Sequence, residues 1–262
     1  MKRWRYVLLV LCTAVISISG TYLMNYFMKS EENKQKYEDI SEIGFPETEA
    51  DHEEENDQQD VKQSEDDFDY QSLIAMNSDC VGWIQITGTD INYPVVQAAD
   101  NEFYLTHNFN RETAVCGAVF MDYRNDVDAK AEHLILYGHQ MKDNSMFKQL
   151  NGYKEESFYK EHPNIKLYLH EQKYEYEITA VYVTDVANGG GYYNYLHWNT
   201  RKEQLNYLQQ KMAGYQIYDT GKKVMETDEL LSLSTCEYSS DNGRLIVQAR
   251  RKGEMTDGKQ II

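Results

Sequence analysis

The sequence predicts a mainly β domain with helical insertions, in which seven or eight short strands form a closed barrel or a sandwich. One observation is a series of short runs rich in β-branched and aromatic residues, separated by turn-forming residues. A second is that helical periodicity between these runs is sparse. A third is a change near residue 68, where an acidic stretch gives way to the strand-like runs. The β domain is therefore expected over residues 68–262.

The N-terminus has the pattern of a membrane anchor. Residues 1–5 are basic, and residues 6–28 contain no charged side chain. A helix of that length reaches about 34 Å, which is enough to cross a hydrocarbon core of ~30 Å. A cleaved signal peptide is the competing interpretation, since Ser17, Ser19 and Gly20 lie near a possible cleavage point. The apolar run continues past them, which favours a retained single-pass anchor with its N-terminus inside and the domain outside.

Residues 29–67 are predicted to be a disordered acidic linker. The stretch 29–69 holds 17 acidic residues against four lysines, so it contains most of the formal net charge of −17. Such a segment buries too little apolar surface to offset its ordering entropy, and a spacer is expected. An acidic segment that binds a basic partner or a cation is the alternative, but regular ligand spacing is missing. The overall charge argues against nucleic-acid binding, which needs clustered Lys and Arg.

The elements predicted for residues 68–262 begin with a short amphipathic helix that carries Leu73 and Ile74. A later helix is predicted from a Thr200 cap with Glu203 three residues on, over about 200–213. The remaining predicted elements are strands over 81–86, 91–96, 117–121 and 133–137, two short helical stretches within 146–162, a hairpin of strands over 164–169 and 174–183, and closing strands over 230–236 and 244–249.

Three residues stand where reactive side chains would be exposed but rigidly held. Cys236 ends an apolar strand just before a polar loop, and His139 follows another strand across Gly138. Arg244 begins the strand after the loop of Cys236, so its guanidinium is expected near the thiol. Taken singly, each residue also fits a packing or structural role.

Taken together, these segments resemble the sortases. Leu231-Ser-Leu-Ser-Thr-Cys236 resembles their T-L-x-T-C motif, with Ser232 in place of the usual Thr. Leu136-Tyr-Gly-His139 resembles the segment of their histidine, and Arg244-Leu-Ile-Val their arginine strand. The phrases over 81–84, 91–95 and 100–105 are similar to class B sortases in particular. The resemblance implies a sortase-type closed β-barrel of seven to eight strands, with an N-terminal helix and a long helix before the penultimate strand.

The implied activity is that of a cysteine transpeptidase. It would cut an Asn-Pro-x-Thr-like sorting motif of secreted surface proteins through a thioacyl-enzyme and join them to a peptidoglycan amine or its precursor. Cys236 would be the nucleophile, His139 the proton donor and acceptor, and Arg244 the group that holds the developing oxyanion. No organic cofactor and no metal are expected. A cysteine peptidase that only hydrolyses, and a non-enzymatic surface binding module, are the alternatives.

The resemblance to class B also suggests residues that line a substrate groove. For Leu105 and Tyr137, packing in the core or a loop is an equally suitable explanation. Cys80 and Cys116 are expected to be small apolar packers, and the histidines other than His139 to lie on the surface or pack. The proposed groove residues are Asn101, Leu105, Tyr137, Ser234 and Glu237.

Overall fold

The computed structural model describes residues 2–46, 68–127, 133–185, 200–210, 212–239, 242–252, 255–256 and 259–260. Its contacts define two compact units, Met1–Asp39 and Ile40–Ile262.

Helix α1 (Lys2–Gly44) contains the whole predicted membrane span. It is long and apolar enough to cross a bilayer, and its apolar stretch is not buried within the protein. The helix is therefore compatible with a single-pass anchor, although a signal sequence near the N-terminus would have the same properties.

The predicted disordered linker over 29–67 is wrong in its first part, because α1 continues as a helix to Gly44. Glu and Lys are good helix formers, and a Lys36 Nζ to Glu32 Oε1 ion pair of 2.8 Å spans one helical turn. Local charge pairing of this kind favours a helix where composition alone suggests disorder. Residues 47–67 lie outside the described part of the chain.

The barrel unit also begins earlier than the predicted boundary at residue 68. Phe45 is buried, with its ring centroid 5.5 Å from that of Trp83 and 5.3 Å from that of Tyr168. Asn92 Nδ2 donates a hydrogen bond of 3.0 Å to Ser41 Oγ. The end of α1 therefore packs on the strands. The polar composition of the sequence around it gave no indication of this packing.

The second unit forms a closed barrel in the strand order β1-β2-β3-β4-β7-β8-β6-β5, with β1 paired to β5. Pairs β2–β3 and β4–β7 are parallel, and the other pairs are antiparallel. In chain order the elements are α2 (Tyr70–Met76), β1 (Cys80–Gln85), β2 (Asn92–Val96), a 3-10 turn (Phe103–Leu105), β3 (Val119–Met121), β4 (His133–Tyr137), a 3-10 segment (Phe147–Lys154), α3 (Glu156–Glu161), β5 (Asn164–Leu169), β6 (Gln172–Asp185), α4 (Arg201–Gln210), a 3-10 turn (Met212–Tyr215), β7 (Leu230–Glu237), β8 (Gly243–Arg251), and a small sheet of β9 (Met255–Thr256) and β10 (Lys259–Gln260).

This architecture confirms the predicted closed barrel with helical insertions. The described residues place eight strands in the barrel, and each predicted strand lies within two residues of its observed bounds. The sequence did not indicate β9 and β10.

Helix α4 is the predicted long helix before the penultimate barrel strand. Glu203 N donates to Thr200 Oγ1 at 3.2 Å, as the predicted cap requires. Its buried Tyr207 and Leu208 pack with Ile135 and Ile246 in one apolar cluster. Because these strand residues belong to β4 and β8, α4 covers one face of the barrel over these strands.

The predicted packing role of a histidine is confirmed at His133 on β4, which is 5% exposed. Its Nε2 lies 2.8 Å from Ser232 Oγ. Burial, with the charge of Arg201 adding to it, lowers the pKa of His133 to about 4 from an ordinary 6.5.

The barrel is therefore expected to lose stability as the pH falls from about 6.5 to about 4. In this window the unfolded chain binds a proton at His133 and the folded chain does not, so the free energy of unfolding drops by about 3 kcal/mol. Urea unfolding of the wild type and of His133→Gln at a series of pH values measures it, and the variant should show a shallower dependence. Parallel curves for the two proteins would contradict the prediction.

Candidate active site

Cys236 and Arg244 lie directly opposite each other on the antiparallel strands β7 and β8. Opposite residues of such a pair direct their side chains to the same face, with Cβ atoms about 5 Å apart. Cys236 is half-buried and its thiol is free, whereas Cys80 and Cys116 are buried as predicted. The antiparallel pairing of β7 with β8 thus brings a thiol and a guanidinium together on one surface of the barrel.

Ser234 and Tyr137 share that face. Ser234 lies two residues before Cys236 on β7, and residues two apart on a strand point the same way. It pairs with Tyr137 on the parallel strand β4. Four of the predicted site residues are therefore on one face of three neighbouring strands.

His139 lies two residues beyond the end of β4, where its ring is held by Leu105. The Nε2 atom is 2.7 Å from the carbonyl oxygen of Leu105. A carbonyl oxygen only accepts hydrogen bonds, so in the neutral ring Nε2 carries the proton and Nδ1 is left as the acceptor. Leu105 thus contributes its main chain to the site, and the residue is 40% exposed.

Gly117 permits this close approach, and sequence reasoning did not single it out. Its φ of +58° favours glycine, and a Cβ there would lie 3.1 Å from His139 Cδ2 and 2.4 Å from Tyr104 O. The sequence shows a glycine just before a short strand. It does not show that Tyr104 and His139, which lie elsewhere in the chain, approach this glycine in the fold.

Three hydrogen bonds attach the segment around His139 to the end of β7. Gly138 N donates to Ser234 O at 3.2 Å, and Thr235 Oγ1 donates to Gly138 O at 2.8 Å. Gln140 Nε2 donates to Cys236 O, also at 2.8 Å. The residues on both sides of His139 are therefore attached to the strand of Cys236. These contacts give Thr235, within the motif, a structural purpose.

Asp122 connects two of the predicted groove residues and was not predicted from the sequence. This fully buried carboxylate accepts hydrogen bonds from Asn101 Nδ2 at 3.0 Å and from the Tyr137 hydroxyl at 2.8 Å. Arg124 binds both of its oxygens, at 2.7 and 2.8 Å. Burial raises the pKa of Asp122, but the hydrogen bonds from Arg124, Tyr137 and Asn101 outweigh it and hold the pKa below its ordinary value. The sequence feature that could have indicated this role is that Asp122 is an acidic residue directly after strand β3.

Glu237 is a predicted site residue whose side chain the structure places away from the face of Cys236. It is the next residue on β7, so its side chain points to the opposite face. Its carboxylate binds Lys154 Nζ at 2.5 Å and Ser239 N at 2.8 Å. Burial opposes ionisation, but the bonds from Lys154 and Ser239 lower the pKa of Glu237 to about 2. A groove-lining role for Glu237 stays a prediction.

No group of three or more His, Cys, Asp or Glu side chains that could hold a metal ion occurs in the described ranges. The chemistry that this arrangement offers is that of a thiol, an imidazole and a guanidinium. It suits attack on a carbonyl carbon, proton transfer and stabilisation of an oxyanion.

Comparison with known proteins supports this interpretation of the site's chemistry. A sequence profile of the sortase domain matches residues 84–252. Sortase B of Listeria monocytogenes is 37% identical over 180 residues, which cover 68% of this chain and 72% of that protein. Sortase B of Staphylococcus aureus is 30% identical over 261 residues, which cover 95% of this chain and 97% of that protein.

Solved structures extend the similarity to three dimensions. The crystal structure of sortase B from Bacillus anthracis in complex with AAEK1 superposes with a TM-score of 0.70 and 33% identity, covering 86% of this chain and 98% of that one. The Staphylococcus aureus sortase B–substrate complex gives a TM-score of 0.70 at 30% identity, with the same coverage of 86% and 98%.

Proposed function

The chain belongs to the sortase family, as a class B sortase and thus a cysteine transpeptidase, and we propose that it anchors secreted surface proteins to the cell wall. It cleaves an Asn-Pro-x-Thr-like sorting motif and transfers the new carboxyl end to a peptidoglycan amine or its precursor. The observation that carries the proposal is the placement of Cys236 opposite Arg244, with the segment of His139 attached to the same strand end.

In the proposed mechanism the sulfur of Cys236 attacks the carbonyl carbon of the scissile amide. The thiol proton passes to Nδ1 of His139, the ring atom that the Leu105 carbonyl leaves available. The carbon–nitrogen bond then breaks, and His139 gives its proton to the leaving amine. The product is a thioacyl-enzyme with the motif's carbonyl carbon bonded to sulfur.

The second half reverses these proton transfers. The incoming amine attacks the thioacyl carbon and gives a proton to His139, the carbon–sulfur bond breaks, and the thiol of Cys236 is regenerated. Arg244 keeps its charge throughout and presents several donors in a fixed plane, so it stabilises the oxyanion in both halves. Its half-buried position beside Cys236 supports that role.

The sorting motif is proposed to lie across the face that carries Tyr137, Ser234 and Cys236, with Asn101 and Leu105 at its edge. Ser234 Oγ is buried and has no hydrogen-bond partner among the described residues, so Ser234 lies beneath the exposed surface of this face, and we include it as a groove residue by resemblance. Asp122 fixes the hydroxyl of Tyr137 and the amide of Asn101, so both present a defined orientation. We include Glu237 as a groove residue only by resemblance.

Anchoring through α1 completes the proposal. The basic residues before the apolar stretch favour an N-terminus inside the cell and the barrel outside, where sorting motifs and wall precursors meet.

Incubation of the enzyme with a fluorogenic Asn-Pro-x-Thr peptide and a primary amine tests the proposed substrates. A thioacyl-enzyme can react with the added amine or with water. Mass spectrometry should therefore show a peptide–amine conjugate when the amine is present and a hydrolysed peptide when it is absent. A peptide of the same composition in scrambled order is the control. Equal cleavage of the scrambled peptide would overturn the motif, and products that never contain the amine would favour the hydrolysing peptidase.

A further inference from the structure

The carboxamide of Gln140 connects the histidine segment to the main chain of Cys236. Its Nε2 donates to the carbonyl oxygen of Cys236 at 2.8 Å, and its Oε1 accepts from Lys148 Nζ at 3.3 Å. A carbonyl oxygen only accepts and an ammonium only donates, so the opposite amide orientation would lose both bonds. The two partners therefore fix the direction of the donor toward Cys236.

The strand ladder does not by itself reach Cys236. The parallel pairing of β4 with β7 ends at Tyr137 and Ser234, two residues before Cys236. Gln140 lies beyond the end of β4, and its side chain makes an attachment to β7 at the level of Cys236. It thus supplies a connection past the last residue pair of the ladder.

The backbone of His139 itself is bonded within its own loop. Phe147 N donates to His139 O at 2.9 Å, and Gln140 forms an isolated antiparallel bridge with Met146. The loop is therefore closed on itself, and Met146 N also donates to the Tyr93 hydroxyl at 3.0 Å. Together with the bond of the ring to Leu105 O, the attachments to β7 through Gly138 on one side and Gln140 on the other set where the imidazole lies relative to the thiol.

We propose that Gln140 is a positioning residue, which holds His139 and Cys236 at a fixed separation through its hydrogen bond to the Cys236 carbonyl. The inference rests on the proposed catalytic roles of these two residues. Without this bond the His139 loop can shift against β7, and a misplacement of about 1 Å costs a reaction about 100-fold. The groove face on β4 and β7 is unchanged, so the loss falls on kcat and not on KM.

Two variants separate the contacts of Gln140. Gln140→Met keeps the length of the side chain and removes both hydrogen bonds, whereas Gln140→Glu keeps an acceptor for Lys148 and removes the donor to Cys236. Gln149→Met is the matched control, since Gln149 is also half-buried and accepts from Asp90 N at 2.8 Å, on the surface. Both Gln140 variants should lower kcat by about 10- to 100-fold with KM within about threefold of wild type, and the control should keep both constants.

A second readout needs no sorting peptide. The rate of alkylation of Cys236 by iodoacetamide, followed over a range of pH by mass spectrometry of the modified segment, depends on the distance of the His139 imidazole from the sulfur. We expect the pH profile of this rate to change in Gln140→Met and to match wild type in Gln149→Met.

Three results would overturn the inference. They are an unchanged kcat and alkylation profile in Gln140→Met, full activity of Gln140→Glu, or a loss of kcat that only follows a loss of folded protein in thermal unfolding. If the wild type fails to cleave the Asn-Pro-x-Thr peptide, the proposed motif is wrong, and the alkylation profiles alone decide the role of Gln140.

Discussion

Cys236→Ala should lower peptide cleavage and transfer by roughly 10⁴-fold or more while the barrel stays folded. The variant has no thiol to form the thioacyl-enzyme, and the remaining groups bind the peptide without a nucleophile. Cys236 is half-buried at the end of β7, so removing its sulfur leaves little cavity and should cost only about 1 kcal/mol or less. Activity with the fluorogenic peptide and thermal unfolding measure the two effects.

The matched control is Cys80→Ala. Cys80 is 2% exposed on β1, and burial raises the pKa of its thiol to about 12, so it stays protonated and unreactive. This variant should keep kcat and show at most a modest loss of thermal stability from the small cavity. Mass spectrometry of wild type trapped with peptide should place the acyl group on Cys236. An acyl group on another residue, or turnover by Cys236→Ala near the wild-type rate, would refute the assignment.

The pairing of Cys236 with Arg244 was predictable because it is local. The two strands are joined by a short polar loop, so a hairpin and its approximate register follow from the sequence over residues 230–249. The strands themselves were found because apolar and β-branched runs with turn residues between them are strong local signals. Alternation along β7 explains equally why Ser234 shares the face of Cys236 and Glu237 does not.

The position of His139 depends on contacts that no local pattern records. Strand β4 pairs in parallel with β7, nearly one hundred residues later, and the contact of Gln140 with Cys236 spans 96 residues. The carbonyl of Leu105 reaches the ring across 34 residues. The resemblance of motifs predicted that these segments lie close together. Their hydrogen bonds, and the contacts of the buried Asp122 with Tyr137 and Asn101, could be identified only from the folded structure.

Arg244→Lys is expected to lower kcat/KM by roughly 10²- to 10³-fold, although it preserves the charge. Lysine has a single flexible ammonium, whereas the guanidinium presents a rigid plane of donors that can hold the carbonyl oxygen as it becomes an oxyanion. In the structure Arg244 Nη1 donates to Gly243 O at 2.9 Å, which fixes the plane of the group on the strand. Because Arg244 is directly opposite Cys236, its side chain leaves the strand on the face of the thiol.

Arg251→Lys at the far end of β8 separates this effect from a general change in the strand. Arg251 is also half-buried and pairs with Glu229 Oε2 at 2.7 Å, so its replacement should lower the unfolding free energy by about 1 kcal/mol or less and leave kcat/KM unchanged. Steady-state kinetics with the sorting peptide and urea unfolding of both variants provide the comparison. The positive charge of lysine would attract an oxyanion as well as that of arginine does. If kcat/KM of Arg244→Lys is within threefold of the wild-type value, the planar donors of Arg244 do not contribute to catalysis. The proposed contact with the oxyanion would then be withdrawn.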